Sequence, residues 1–323
     1  MAFDSVLGHD RVRRLIAGAL RGRRLPPALL LSGPDGVGKR TLALAVARAL
    51  LCASEDGEGC GTCAPCQRVA RGLHPDVIVL QAETAVIKIE QVRTLVREIA
   101  SGPFEGRARA FVIDDAHTMT EQAQNALLKS LEEPAATSHV MLVTGSAQGL
   151  LPTIRSRCQV LRFGPIPAAI LEHHLAERHG LTPDEARLRA SLSGGSLGAA
   201  LAFEADGYRA VRDLLIAGLA RIPSLGTLER MDFAQRLADA DDPMLVLTAL
   251  RSILRDVAAL RAGSAPDAIL NRDAAEPLAA IAQGPLGARA VALGDVTEET
   301  RTGLRQNANP LLTMDVLVDA VAG

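Results

Sequence analysis

Four of the five cysteines, Cys52, Cys60, Cys63 and Cys66, fall within fifteen residues in the spacing C-x7-C-x2-C-x2-C. Two-residue gaps let neighbouring sulfurs reach one ion, and four thiolates match tetrahedral Zn2+. In a reducing compartment such thiols read as metal ligands rather than disulfides. Four protein ligands leave no open position for water, so the site would be structural. The competing reading is a set of unrelated buried thiols. Cys158 stands apart and reads as a small buried hydrophobe.

A second group with chemical content is Gly33-Pro34-Asp35-Gly36-Val37-Gly38-Lys39. Gly33, Gly36 and Gly38 can turn backbone N–H groups inward around a phosphate. A helix starting at Lys39 adds positive potential, and the lysine reaches the outer phosphates. Of 35 basic residues only Lys39, Lys88 and Lys129 are lysine, leaving 32 arginines, so a lysine here is conspicuous. The residue after it should be Ser or Thr, whose hydroxyl ligates Mg2+. It is Arg40, and Thr41 comes one place late, rotated about 100° around the helix. The second half of such a site would be Asp114-Asp115, after the apolar run 110–113. Asp114 suits the metal side, whereas Asp115 is one methylene shorter than the Glu that usually activates water. The bland readings are a glycine turn entering a helix and a helix-start cap.

These groups need a scaffold of alternating elements. Short apolar runs at 28–31, 77–80, 110–113, 139–144 and 160–163 read as buried parallel strands. Helical patterns cover 39–51, 89–100 and 122–133, the last with Ala123, Leu127 and Leu131 on one face, Pro134 ending it, and a Thr118/Glu121 capping box. Alternating β and α elements predict a parallel sheet covered on both faces. Gly164-Pro165-Ile166-Pro167 reads as a linker, and everything after it is helical. The last helix is expected to start at Asn309-Pro310. The expected organisation is α/β over 1–164, with the cysteine module at 52–66 inserted, a small helical domain over 165–205 and an all-α domain over 206–323.

Composition excludes several functions. With 35 Lys+Arg against 37 Asp+Glu the net charge is −2, so the chain is no bulk polyphosphate binder. Seven aromatics, one Tyr and six Phe, cannot build the stacking platforms of a single-strand binder. At 48% apolar, the chain can bury an aliphatic core over about two or three domains. The N-terminus carries charges where a signal peptide needs an apolar stretch, and the longest uncharged run, 134–154, is broken by polar residues, Gly and Pro. A cytoplasmic protein without membrane contact is expected.

Gly33–Lys39, Asp114-Asp115-Ala116-His117, the run Asn125-Ala126-Leu127-Leu128-Lys129-Ser130-Leu131-Glu132-Glu133-Pro134 and Ile154-Arg155-Ser156-Arg157-Cys158 occur in this order. Together they resemble the clamp-loader subunits of bacterial DNA polymerase III, a branch of the AAA+ ATPases. The cysteine knuckle is similar to that family's zinc module, and the final helix to its collar. The resemblance implies an AAA+ P-loop domain with a parallel five-stranded sheet and zinc knuckle, a helical lid domain and an all-α collar. It also implies that Arg157 acts as an arginine finger on ATP held by a neighbouring subunit. Lys129 reads as a helix-surface residue.

Within the family the motor subunits, gamma/tau, carry intact phosphate loops, an Asp-Glu pair and a lid arginine. This chain departs at Arg40, at Asp115 and at Gly198, where the arginine would stand. It most resembles the delta-prime branch, which implies a stator with little or no ATP hydrolysis. ATP or ADP could be bound at Gly33, Gly36, Gly38, Lys39, Thr41, Asp114 and Asp115 without turnover. Implied partners are delta, gamma/tau, the beta sliding clamp and primed DNA through a hetero-pentamer. The alternatives are an active gamma/tau-like motor and an unrelated zinc-containing nucleic-acid binder; charge and aromatic content count against the second.

Overall fold

In the computed structural model, which describes residues 2–54 and 59–323, five apolar runs form one parallel sheet. They are β1 (Ala28–Ser32), β2 (Val77–Leu80), β3 (Arg109–Ile113), β4 (Ser138–Thr144) and β5 (Gln159–Arg162), in the order β2-β3-β4-β1-β5. Each lies within a residue or two of its expected place, because turn or charged residues bound every run. β1 lies between β4 and the edge strand β5: Leu30 pairs with Leu142 of β4 and with Val160 of β5.

Among these strands lie α1 (Asp10–Arg21), α2 (Lys39–Leu51), α3 (Ala64–Ala70), α4 (Ile89–Ala100), α5 (Glu121–Glu132) and α6 (Pro152–Arg157). Side chains alternate across the sheet. On one face Leu30, Phe111, Ile113 and Leu142 meet Val92, Leu95 and Ile99 of α4 and Ala123, Leu127 and Leu131 of α5. On the other, α2 packs on β1, β3 and β4, burying Leu42, Ala45 and Val46. The parallel five-stranded sheet implied by the AAA+ resemblance is therefore present. Helices α3 and α6 escaped the sequence reading because seven and six residues are too few to show a period.

The expected Thr118/Glu121 capping box is a correction. The cap of α5 is Thr120, whose hydroxyl accepts the Ala123 N–H. Thr118 closes a 3-10 turn, and its carbonyl instead accepts the Ile87 N–H.

After β5 the described residues are helical or irregular. The helices are α7 (Ala168–His179), α8 (Pro183–Leu192), α9 (Leu197–Ala202), α10 (Ala205–Arg221), α11 (Thr227–Ala238), α12 (Pro243–Arg261), α13 (Ala275–Gln283), α14 (Pro285–Arg305) and α15 (Pro310–Ala322). As expected, Asn309 caps α15, its side chain accepting the Leu312 N–H. By contacts the chain divides into two compact units. One comprises the residues up to His174 with Ser193–Leu201, and the other Leu175–Leu192 with Ala202–Gly323. The second unit has its own aliphatic core from α10 to α15. At its centre the fully buried Tyr208 hydroxyl bonds Ser252 and Asn271, and Asp256 accepts the Leu270 and Asn271 N–H groups. No helix among the described residues is long and apolar enough to cross a membrane.

Candidate functional site

The four clustered thiols converge. Cys52 ends α2 and Cys63 precedes α3, so the connection between these helices folds the sulfurs onto one point. All four Sγ atoms lie within 4.8 Å of one another, with Cys52 and Cys63 3.9 Å apart. Four sulfurs at about 2.3 Å from one tetrahedral ion are spaced by about 3.8 Å, so small adjustments suffice to hold a metal. Residues 55–58 of the expected module lie outside the described residues. N–H groups of Ser54 and Cys60 point at the Cys52 sulfur, and that of Cys63 at Cys60. The Thr62 hydroxyl and nearby backbone N–H groups pull the Cys60 thiol down to about 6, whereas burial pushes Cys66 up to about 12. Cys158 is buried away from the cluster, and its thiol is pushed up to about 12.

The glycine loop follows β1 and runs into α2, the arrangement a phosphate-binding loop needs. Gly33 and Gly36 are required here. A Cβ on Gly33, at φ +157°, would strike the Phe163 carbonyl, and one on Gly36, at φ +71°, would strike the Ser196 hydroxyl. A cavity of about 620 Å3 brings together Gly36, Gly38, Lys39, Thr41, Asp114 and Asp115. That volume is in the small-molecule range. Gly33 is not among the residues that line the cavity.

Lys39 is 5% exposed and donates to the carbonyls of Gly33 and Pro34, each at 2.6 Å, and to Asp35 at 3.1 Å. Arg40 reaches across to Asp114 at 2.9 Å and to Gln81 at 3.2 Å. Asp115 adopts a left-handed backbone at φ +46° before the 3-10 turn, and its side chain makes no capping bond, so the cap reading fails. Gly198, at the start of α9, lines the same cavity, and its N–H donates to the Gly36 carbonyl at 3.1 Å. Sequence reasoning treated Arg40 only as a missing hydroxyl. The signal that could have exposed its pairing is an arginine on α2's first turn opposite an acidic strand end.

Arg157 is the last residue of α6, directly before β5. Its Nε donates to Glu132 at 2.6 Å, Nη2 pairs with the same carboxylate, and Nη1 donates to the Thr153 carbonyl at 2.9 Å. Glu132 was not singled out in the sequence. β5 and β1 are parallel, with Leu29 opposite Gln159 and Ser32 opposite Arg162. Arg157 thus precedes the N-terminal end of its strand, whereas the glycine loop leaves the C-terminal end of β1. Four residues of strand, at least about 13 Å, separate the two levels.

A family model described as DNA polymerase III, delta subunit, matches residues 8–167. They hold the glycine loop, the acidic pair, the cysteine cluster and Arg157. The DNA polymerase III subunit delta' of Bacillus subtilis (strain 168) is 36% identical over 183 residues, 57% of this chain and 55% of that protein. The subunit delta' of Pseudomonas aeruginosa is 40% identical over 201 residues, 60% of this chain and 61% of that protein. The subunit tau of Salmonella typhimurium is 33% identical over 233 residues, 70% of this chain but 36% of that protein. The chain therefore spans about 55–61% of the length of these delta' relatives. These matches bear out the resemblance to DNA polymerase III clamp-loader subunits and, among them, to delta-prime. Arg40 and Asp115 thus lie within the segment that matches this family.

Proposed function

We propose that this chain is a delta-prime-like clamp-loader subunit of DNA polymerase III. It assembles with delta and gamma/tau and presents Arg157 to ATP on a neighbouring subunit. The observation that carries this reading is the placement of Arg157 at the opposite end of the sheet from the chain's own glycine loop. From there the guanidinium cannot serve the chain's own phosphate site, yet at the end of α6 it is a third exposed and could exchange Glu132 for a phosphate on another subunit. A planar cation on a neighbour's γ-phosphate stabilises charge in phosphoryl transfer. Within the same reading, the segment 165–205 is the lid and 206–323 the collar that joins the other subunits. The assembled machine places the beta clamp on primed DNA.

Zinc fits the four thiols, and we assign it to Cys52, Cys60, Cys63 and Cys66 as a structural ion tying the end of α2 to α3. The chain's own turnover is absent or weak for three reasons. Arg40 replaces the metal-binding hydroxyl, Asp115 is short, and Gly198 has no side chain. The test is the assembled complex carrying Arg157→Ala. DNA-dependent ATPase and clamp loading should fall, and unchanged rates would remove the finger assignment. The active-motor reading is favoured by the retained loop and Lys39. It requires Lys39-dependent ATP turnover by the isolated chain, which is not expected.

A further inference from the structure

In a P-loop nucleotide site, Mg2+ sits between a hydroxyl following the loop lysine and a carboxylate at the end of the partner strand. Here those two positions are Arg40 and Asp114, and they bind each other. Arg40 Nη1 donates to Asp114 Oδ2 at 2.9 Å and to Gln81 Oε1 at 3.2 Å. Asp114 is 14% exposed at its side chain, and its other oxygen, Oδ1, accepts the Asp115 N–H at 3.2 Å. Mg2+ demands a near-octahedral shell of oxygens at about 2.0–2.1 Å. To enter, it would have to displace the guanidinium from Asp114 and then remain beside a positive charge. The residues present do not fit the metal.

The cavity retains its glycine loop, the start of α2 and Lys39. Resting on the reading of this loop as a nucleotide site, we propose that it takes a nucleoside di- or triphosphate in metal-free form. The Arg40 guanidinium stands in the place of the divalent cation. Both contacts of Arg40 use Nη1, which leaves the donors on Nε and Nη2 for phosphate oxygens. A planar guanidinium can engage two such oxygens side by side. Asp114 and Gln81 anchor it from behind, so little side-chain freedom is left to lose on binding. The position is built for a fixed monovalent fork, and metal-assisted hydrolysis has no foothold in it.

The test is titration calorimetry of the full-length chain with ADP and with ATP, in EDTA and in Mg2+. Wild type should bind with the same Kd in both buffers to within about twofold. Lys39→Ala should abolish binding in both, which locates the site. Arg40→Ser supplies the hydroxyl and frees Asp114, and Mg2+ should then tighten binding by about tenfold or more. Adding Asp114→Asn to Arg40→Ser should remove that gain. Wild-type binding that requires Mg2+ would overturn the inference while leaving the nucleotide site standing. An Arg40→Ser chain indifferent to Mg2+ would overturn it too. Absence of binding by wild type in either buffer would bring down the nucleotide-site reading itself, and the inference with it.

Discussion

Arg157 makes its three contacts through a planar fork: Nε and Nη2 on Glu132 and Nη1 on the Thr153 carbonyl. The finger role needs the same flat geometry turned to a phosphate, which the compact ammonium of lysine cannot reproduce. Arg157→Lys should therefore be as defective as Arg157→Ala in the assembled complex, with a loss at the neighbouring ATP site of about 10³-fold or more. Steady-state ATPase with primed DNA measures it, and recovery of half the wild-type rate by Lys would reject the fork. Stability should barely change, because the pair with Glu132 is a third to a half exposed and worth about 0–1 kcal/mol. Arg157 could be picked out among 32 arginines by its neighbours Ser156 and Cys158. Its partner Glu132, twenty-five residues away, could not, since that contact depends on α6 packing against α5. The same holds at Arg40. The sequence exposes a lost hydroxyl, but the ion pair with Asp114 exists only because β3 ends beside the first turn of α2.

At the scale of elements, the strands and the helices α2, α4 and α5 of the first unit were legible because each apolar run is bounded by residues that cannot continue it, whereas the twelve-residue α1 was not read from the sequence. Caps were less so. Thr118 and Thr120 are equally plausible by type, and only the 3-10 turn decides between them. A more consequential feature left no motif. Asp76, fully buried ahead of β2, accepts the N–H groups of Phe104, Glu105 and Gly106 and so fixes the loop between α4 and β3. Burial alone would raise its carboxyl, but these three bonds outweigh it and hold the group below the usual range. A depressed folded-state value contributes stability above the unfolded-state value of about 3.9, and that stability is lost as pH falls through the folded one. Asp76→Asn places an amide against three donors and should cost about 1–3 kcal/mol at pH 7. Its cost should shrink toward acid pH, as read by urea unfolding from pH 7 down to 3. A constant cost across that range would show that the charge does not hold the loop. In the helical unit, Tyr208→Phe strips a partner from both Ser252 and Asn271 and should also cost about 1–3 kcal/mol.

Among the described residues, the sheet-containing unit and the helical unit each bury apolar side chains of their own, and stability should follow that division. The sheet, the cysteine knuckle and the all-α second half could be read from pattern and spacing. The division of the segment 165–205 could not, because helical periodicity says which face is buried and not against what. Two compact units predict two thermal transitions by calorimetry. The four-thiol cluster links the end of α2 to α3, and a metal there stabilises only the unit in which those sulfurs are brought together. Zinc removal by chelator, or Cys60→Ser, should lower the transition of the sheet-containing unit by several degrees and leave the helical one in place. Tyr208→Phe marks the second transition by moving it alone. If chelation moved the Tyr208→Phe-sensitive transition, or neither, the metal would not be a local staple of the first unit. Hydrogen exchange gives the same test residue by residue: protection should fall in α3 and at the end of α2 on chelation, while α10 and α12 around Tyr208 keep theirs.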